Sequence, residues 1–436
     1  MKTSHWLSRL LLIFTIVVQL AACGISAPAT TAEATIMPSP TLAVPTNTEI
    51  PPSSFKSTPS PIPVSSPPDG LRMAYIVDDN LYYQNGAHPP LQLTNRGEDK
   101  RPLFFSEDGR KVFFTRGRGE IYSIDVDGNE EQALVTTDLL LTMVANYDKS
   151  TTPCNPVLVP NTQFLLFNTC YHSIESTPLN HDDLFIADAG NNLVSLILPE
   201  QGGASYVSPN GKMIAVDRQN SIDILGIDGR VIRSKIATYP RSELISTAAR
   251  VYWVSDSKEL IMLLPSKTFI DTFPPPSYTV WRFSLDTHTS VQIHLDPTPT
   301  NLGEIWVSPD GNWITYFVYN EGMFLGNLQD GITQAYQYGL PHEWSPDSMH
   351  FIYEASDPSG TDTGLSLASI NALSVFIGKG GFIGWLDASK YLYHSAKTFV
   401  VGEIGKEPIP ILVGRTQPFI QARPATLIFN FQPLNK

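Results

Sequence analysis

The sequence is defined first by what it has little of. Charge is scarce: 16% of the 436 residues are Asp, Glu, Lys or Arg, and acids outnumber bases 42 to 29, for a formal charge of -13. Removing residues 1–22, which carry Lys2 and Arg9, makes it -15. An acidic surface repels phosphate backbones and anionic lipid, which argues against a nucleic-acid partner. Long amphipathic helical periodicity is almost missing, which argues against bundles and doubly wound α/β folds. Catalytic signatures are missing too. There is no Gly-x-Ser-x-Gly elbow and no Gly-x-x-x-x-Gly-Lys-Ser/Thr phosphate loop. His342-Glu343 has no second His at helical spacing, so no zinc-protease motif forms. No motif implies a cofactor or a metal. What the chain has instead is 36 prolines, 29 glycines and 10% aromatics, the composition of short strands and tight turns. Its length suffices for one large or two ordinary domains.

The first 22 residues read as a leader. Lys2 and Arg9 mark a basic start, and Leu10 to Leu20 is an apolar run too short for a bilayer-spanning helix of ~20 residues. It ends in Leu20-Ala21-Ala22-Cys23-Gly24, which resembles the bacterial lipoprotein box. That resemblance implies cleavage before Cys23, diacylation of its thiol, and a location on the outer side of a membrane, at the cell surface or in a periplasm. Two or more hydrocarbon chains make such an anchor stable. Residues 24–70 hold eleven prolines, eight serines and seven threonines with few large apolar side chains. Such a stretch cannot bury enough surface to offset chain entropy. Residues 23–66 are therefore expected to be an extended tether, and residues 67–436 the folded domain.

Within 67–436 one unit recurs. Its clearest copy is Trp306-Val307-Ser308-Pro309-Asp310-Gly311-Asn312-Trp313, a strand, a tight turn and a second strand. Pro pre-sets φ, Asp bonds its own backbone, and Gly accepts positive φ. Strong copies follow Ser106, Ser208 and Ser345, and weaker ones start at 67, 159, 255 and 386. The intervals between the eight starts are 39, 53, 49, 47, 53, 37 and 41 residues. Four short strands at that spacing make a propeller blade. The fold class is all-β, a single β-propeller of eight blades, or seven if one weak copy is a loop, or nine if Arg423 to Thr426 is a further start. The first unit lacks an initial strand, which 418–421 or Thr426 to Phe431 supplies, closing the ring and removing exposed edges. The repeat resembles the TolB-like family of propellers, whose blades carry a Ser-Pro-Asp-Gly turn. It implies a fold, and a place as a platform for envelope partners, but little else about function.

Side-chain chemistry is sparse. Cys154 and Cys170 flank a hairpin centred on residue 162 and are expected opposite one another, in disulfide range. Asp125-Val126-Asp127-Gly128-Asn129-Glu130 has part of a calcium-loop spacing but lacks the third ligand before Gly and the closing Glu, so it reads as a hairpin turn. Long connections are expected at 136–153, 171–181, 266–276 and 356–363, all on one face, opposite the uniform tight turns. Loops of that length are usually functional or irregular. They carry Tyr171, His172, His181, Asp182, Phe269, Asp271, Phe273 and Tyr278, and the channel side adds Glu304 and His342. These are the expected binding residues for an envelope protein or glycan. The alternative is an enzyme acting on carbohydrate or peptide, with Glu304 and Glu343 as acid/base groups. A glycosidase requires two carboxyls ~5–5.5 or ~6.5–9.5 Å apart.

Overall fold

Each Ser-Pro-Asp-Gly copy folds into the same hairpin. The backbone N–H of Ser308 donates to Trp313 O at 2.9 Å, and Trp313 N–H returns to Ser308 Oγ at 2.9 Å. Ser308 Oγ donates to Asp310 Oδ1 at 2.5 Å, and the same oxygen accepts from Asn312 N–H at 3.0 Å. Gly311, at φ 70°, closes the turn on Ser308 O at 2.8 Å. Ser106 with Asp108, Ser208 with Asn210, and Ser345 with Asp347 repeat the arrangement. Asp310 is thus a turn residue with both functions of its carboxylate engaged locally, Asn312 Nδ2 reaching Oδ2 at 2.9 Å.

The computed structural model describes residues 66–171, 179–181, 183–200, 202–218, 220–240, 249–266, 277–300, 305–318, 320–336, 339–356, 363–395, 398–411 and 429–432. These form eight antiparallel sheets, each but the first built outward from its own first strand in the chain. The second blade is typical: Asp99–Phe105, Lys111–Arg116, Glu120–Asp125 and Gln132–Val135. The third carries an additional two-residue strand, Leu179–Asn180, on Phe164–Tyr171. In the first blade Arg72–Val77 pairs with Phe429–Gln432, Arg72 opposite Gln432. The last strand of the chain is therefore the innermost strand of the first blade, and the ring closes. Of the two C-terminal stretches considered for this role, the second overlaps the strand formed; 418–421 lies outside the described residues.

The core is divided among the blade interfaces. Eight apolar clusters occur, one at each junction. Phe105, Val112 and Phe114 of the second blade meet Ala74, Ile76 and Leu81 of the first. Met73 and Tyr75 of the first meet Leu386, Leu392 and Ile411 of the eighth. Because a blade is covered on both faces, its middle strands read as continuous apolar runs rather than alternations. Glu259–Pro265 is buried at every position after the first, whereas the outermost strand Thr289–Ile293 of the same blade is largely exposed. Direct bonds fasten neighbouring blades. Indole N–H groups of Trp253, Trp344 and Trp385 donate to Tyr206 O, Trp306 O and Glu343 O on the preceding innermost strand, at 2.9, 3.2 and 3.3 Å. On the tight-turn face, Asn210 N–H and Asp310 N–H donate to Ser257 Oγ and Ser348 Oγ, each 3.0 Å away in the next blade.

Candidate functional site on the long-loop face

The two faces of the ring differ in construction. On one, the first hairpin turn of a blade is bonded to the last: Val126 N–H to Arg110 O, Ile227 N–H to Lys212 O, and Leu328 N–H to Asn312 O, at 2.7–3.2 Å. The turn at Asp125 belongs to this face. Lys111 Nζ lies 2.6 Å from Asp125 Oδ1 and 3.5 Å from Glu130 Oε2, so the chain's own ammonium sits where a calcium ion would. At the opposite face lie the strand ends that flank the long connections. Residues 172–178, 267–276 and 357–362 join the second and third strands of the third, fifth and seventh blades, and all lie outside the described residues. Residues 136–150 lead from the second blade to the third. This connection is partly helical, not an open loop: Thr137–Met143 is a helix whose cap, Thr136, accepts from Leu139 N–H at 3.2 Å. Leu140, fully buried, and Met143, Val144 and Tyr147 hold it against the junction of the second and third blades. Seven residues give too few turns for a helical period to show in sequence.

The helix delivers Tyr147 to a buried carboxylate. Asp183, 1% exposed, accepts from the Tyr147 hydroxyl, the Thr169 hydroxyl and Thr169 N–H, the last at 2.8 Å. Burial pushes its carboxyl above the usual range, against the pull of these donors. Since the Thr169 hydroxyl donates to Asp183, the 2.8 Å contact with His181 Nδ1 leaves His181 as donor there, and its Nε2 has no bond among the described residues. The His181 ring stacks on Tyr147 with centroids 5.1 Å apart. The group is a relay from a half-exposed imidazole through a hydroxyl to a buried acid. Of its members, the sequence singled out His181 alone. The aspartate that meets it is Asp183, and Asp182 lies outside the described residues.

The neighbouring Cys154–Cys170 disulfide ties the first two strands of this blade. The cysteines are offset from the direct opposition that a hairpin centred on residue 162 requires. Cys154 faces Asn168 and Cys170 faces Thr152: Leu158 already pairs with Leu165, one residue off a hairpin centred on 162, and a register shift between Cys154 and Val157, with Asn155 at φ 49°, adds one residue more. Tyr171, the last residue of its strand, pairs with Thr151 and is 36% exposed. Tyr278 is 5% exposed, at the long-loop end of the fifth blade, so it contributes a covered ring rather than a protruding one. His172, Phe269, Asp271, Phe273 and Glu304 lie outside the described residues.

The channel side is formed by the innermost strands. His342 on Gly339–Trp344 is half-buried, and burial lowers its pKa while the charge of Glu354 opposes the shift. Glu343, beside it, is exposed to solvent at its surface, while desolvation by the protein around it pushes its carboxyl up to about 7. Among the described residues no side chain bonds to it. The described residues also contain no group of three or more His, Cys, Asp or Glu placed to hold a metal ion.

No family model matches this chain, and no curated protein matches it. Solved structures do. Porphyromonas gingivalis dipeptidyl peptidase 4 superposes with a TM-score of 0.50 at 12% identity, over 71% of this chain and 52% of the peptidase, so this chain spans about half of that protein. A structure described as the eukaryotic initiation factor gives 0.50 at 12% identity, over 78% of this chain and 83% of the other. Oligogalacturonate lyase in complex with manganese gives 0.44 at 13%, over 66% and 82%. At such identities the likeness is one of fold alone, and the described residues of this chain form an eight-bladed β-propeller.

Proposed function

We propose that this is an extracytoplasmic lipoprotein, anchored through Cys23, whose propeller binds an envelope protein or glycan through its long-loop face. The observation that supports this reading most is the asymmetry of the ring. One face consists of short turns bonded to each other. The other carries the strand ends that flank the long connections, together with the Tyr147–Asp183–Thr169–His181 relay. Scaffold chemistry repeats from blade to blade, while recognition requires that blades differ, and they differ on this face. A glycan and peptide array probed with the full chain tests it. Selective retention of one class is expected, abolished by Tyr147→Ala together with His181→Ala. Uniform background on the array, with no specific partner captured from solubilised membranes, would overturn it.

A second reading, a propeller enzyme, draws on Glu343. A carboxyl that titrates near 7 inside a channel suits proton transfer at neutral pH. Its titration has a consequence whether or not it is catalytic. The folded chain keeps the Glu343 proton up to about 7, while the unfolded chain loses it near ~4.3. Between those values the unfolded state binds fewer protons, so stability falls as pH rises. Glu343→Gln is expected to flatten that part of a melting-temperature profile, measured from pH 4 to 8 in steps of about half a unit. An unchanged slope would show that the carboxyl is ordinarily solvated, and the enzyme reading would lose its support.

A further inference from the structure

The outer side of the ring opens between the sixth and seventh blades. A cleft of about 400 Å³ lies there, between the outermost strand of the sixth blade, Thr333–Ala335, and the last hairpin of the seventh, formed by Thr363–Ser369 and Ala372–Gly378. At the preceding junction Ile293 and Leu295 of the fifth blade pack in one cluster with Phe324 and Leu328 of the sixth. Leu328 follows the third strand of its blade as Ile370 follows that of the seventh. Here the walls carry small residues instead, Ala335, Ser369, Ala372 and Ser374, and the space between them stays open. Tyr336 continues the outermost strand of the sixth blade, its N–H donating to Met323 O at 2.8 Å, so alternation turns Gln334 and Tyr336 to one side. That side is the seventh blade's, since the Tyr336 ring meets Phe351 and Tyr353 edge-on, with centroids 5.4 and 5.9 Å apart. The Tyr336 hydroxyl donates to Ser369 O at 3.3 Å, with Ala372 O 3.5 Å away. The Tyr353 hydroxyl donates to Ser374 Oγ at 2.7 Å, so Ser374 has its own proton to give. Asn371, exposed at the hairpin turn, and Gln334, exposed on the facing strand, complete the polar lining, and neither side-chain amide is bonded among the described residues. Among the described residues that line the cleft none is acidic or basic.

We infer that this cleft is a binding site for a neutral sugar, separate from the long-loop face. Its volume falls in the range of small-ligand clefts, ~300–1,000 Å³. A primary amide offers donors and an acceptor from one planar group, and Gln334 and Asn371 present two of them to the same space. Neighbouring hydroxyls of a sugar ring, each both donor and acceptor, match that arrangement, with the Ser374 hydroxyl as a further donor. Tyr336 and Ile370 supply apolar surface for the C–H side of the ring. A carboxylate or an ammonium group would lose hydration here without gaining an opposite charge. An extended peptide docks by pairing along a free strand edge, whereas this cleft lies between the faces of two blades, and the turn carbonyls on its floor already face the Tyr336 hydroxyl. The inference uses no residue of the long-loop face and does not depend on the reading of that face.

The test is saturation-transfer NMR and calorimetric titration of the full chain with glucose and N-acetylglucosamine oligosaccharides, with a hexuronate oligosaccharide, and with an uncharged peptide. A neutral oligosaccharide is expected to bind, and Gln334→Ala together with Asn371→Ala to weaken it about tenfold, the effect of losing two hydrogen bonds. Ala372→Phe fills the cleft from an exposed position and should abolish binding while the melting temperature holds. Ala335→Phe, also at an exposed position, serves if that variant melts early. Tyr147→Ala with His181→Ala, on the long-loop face, should leave this binding unchanged. No binding of either neutral sugar overturns the site, as does binding that survives both the amide pair and the filled cleft. Tighter binding of the hexuronate or of the peptide, lost in the filled-cleft variant, overturns the neutral-sugar assignment. Neutral-sugar binding lost in the Tyr147 and His181 variant, and kept in the filled-cleft variant, overturns the cleft and leaves the long-loop reading standing.

Discussion

Arg116→Ala is expected to lower unfolding stability by about 3–5 kcal/mol, the cost of leaving a buried charge without its partner. The Arg116 side chain is 4% exposed, and its Nε donates to Asp99 Oδ1 at 2.7 Å, where Asp99 is fully buried. Two further N–H groups form a fork on Glu131, at 2.8 and 3.0 Å, and hold that carboxyl below its usual range. The guanidinium also lies over Tyr122, 4.5 Å from the ring centroid, and beside Phe114 at 5.2 Å. Removing it strands Asp99 in a site with one remaining side-chain donor among the described residues, the Thr94 hydroxyl. Asp99→Asn introduced alongside should recover part of the loss, since no buried charge then remains. Denaturant unfolding of the two variants measures both numbers. A loss below about 1 kcal/mol for Arg116→Ala would mean that water reaches Asp99 and the pair is effectively at the surface.

Gly211→Ala is expected to cost about 3 kcal/mol, and Ser348→Gly less than about 1 kcal/mol, although both residues occupy the same place in the repeated turn. Both adopt left-handed φ, 69° and 64°. A side chain at Gly211 meets a backbone atom: an added Cβ would lie 2.1 Å from Pro160 O in the preceding blade. The neighbouring blade must then move, and it is fixed by its own packing. At Ser348 a Cβ is already accommodated, and the hydroxyl accepts Asp310 N–H from the blade before it at 3.0 Å. Glycine there loses one hydrogen bond and gains relief of a left-handed backbone, two terms of similar size. Melting of the two variants side by side decides the matter. Equal losses would show that turn conformation alone governs the position, with no part for the contact between blades.

The contrast between those two positions indicates how far the sequence reaches. The repeated Ser-Pro-Asp-Gly unit is local chemistry: its hydroxyl, carboxylate and glycine act within six residues, so the order of residue types suffices to locate it. Second and third strands are legible for a related reason. Each is covered on both faces and reads as an unbroken apolar run such as Leu260 to Leu264. Outermost strands such as Val231–Thr238 are mostly exposed and carry weak patterns.

The site was far less legible. Tyr147, Thr169 and Asp183 come from the turn after a helix, a strand and a loop end, and their relation to His181 exists only once the second blade's exit helix is docked on the third blade.

The sequence by itself therefore determined the all-β class, the spacing of the repeated unit and the turn chemistry, because each is set by contacts a few residues apart, while the choice of eight blades over seven or nine came from the assembled sheets. The tertiary structure decided ring closure by Phe429–Gln432, the offset pairing of Cys154 and Cys170, and which polar groups meet on the long-loop face. Those depend on a bulge, a docked helix and the facing of one blade on the next. None of these is set by periodicity, because side chains distant in the chain become partners only where packing brings their elements together.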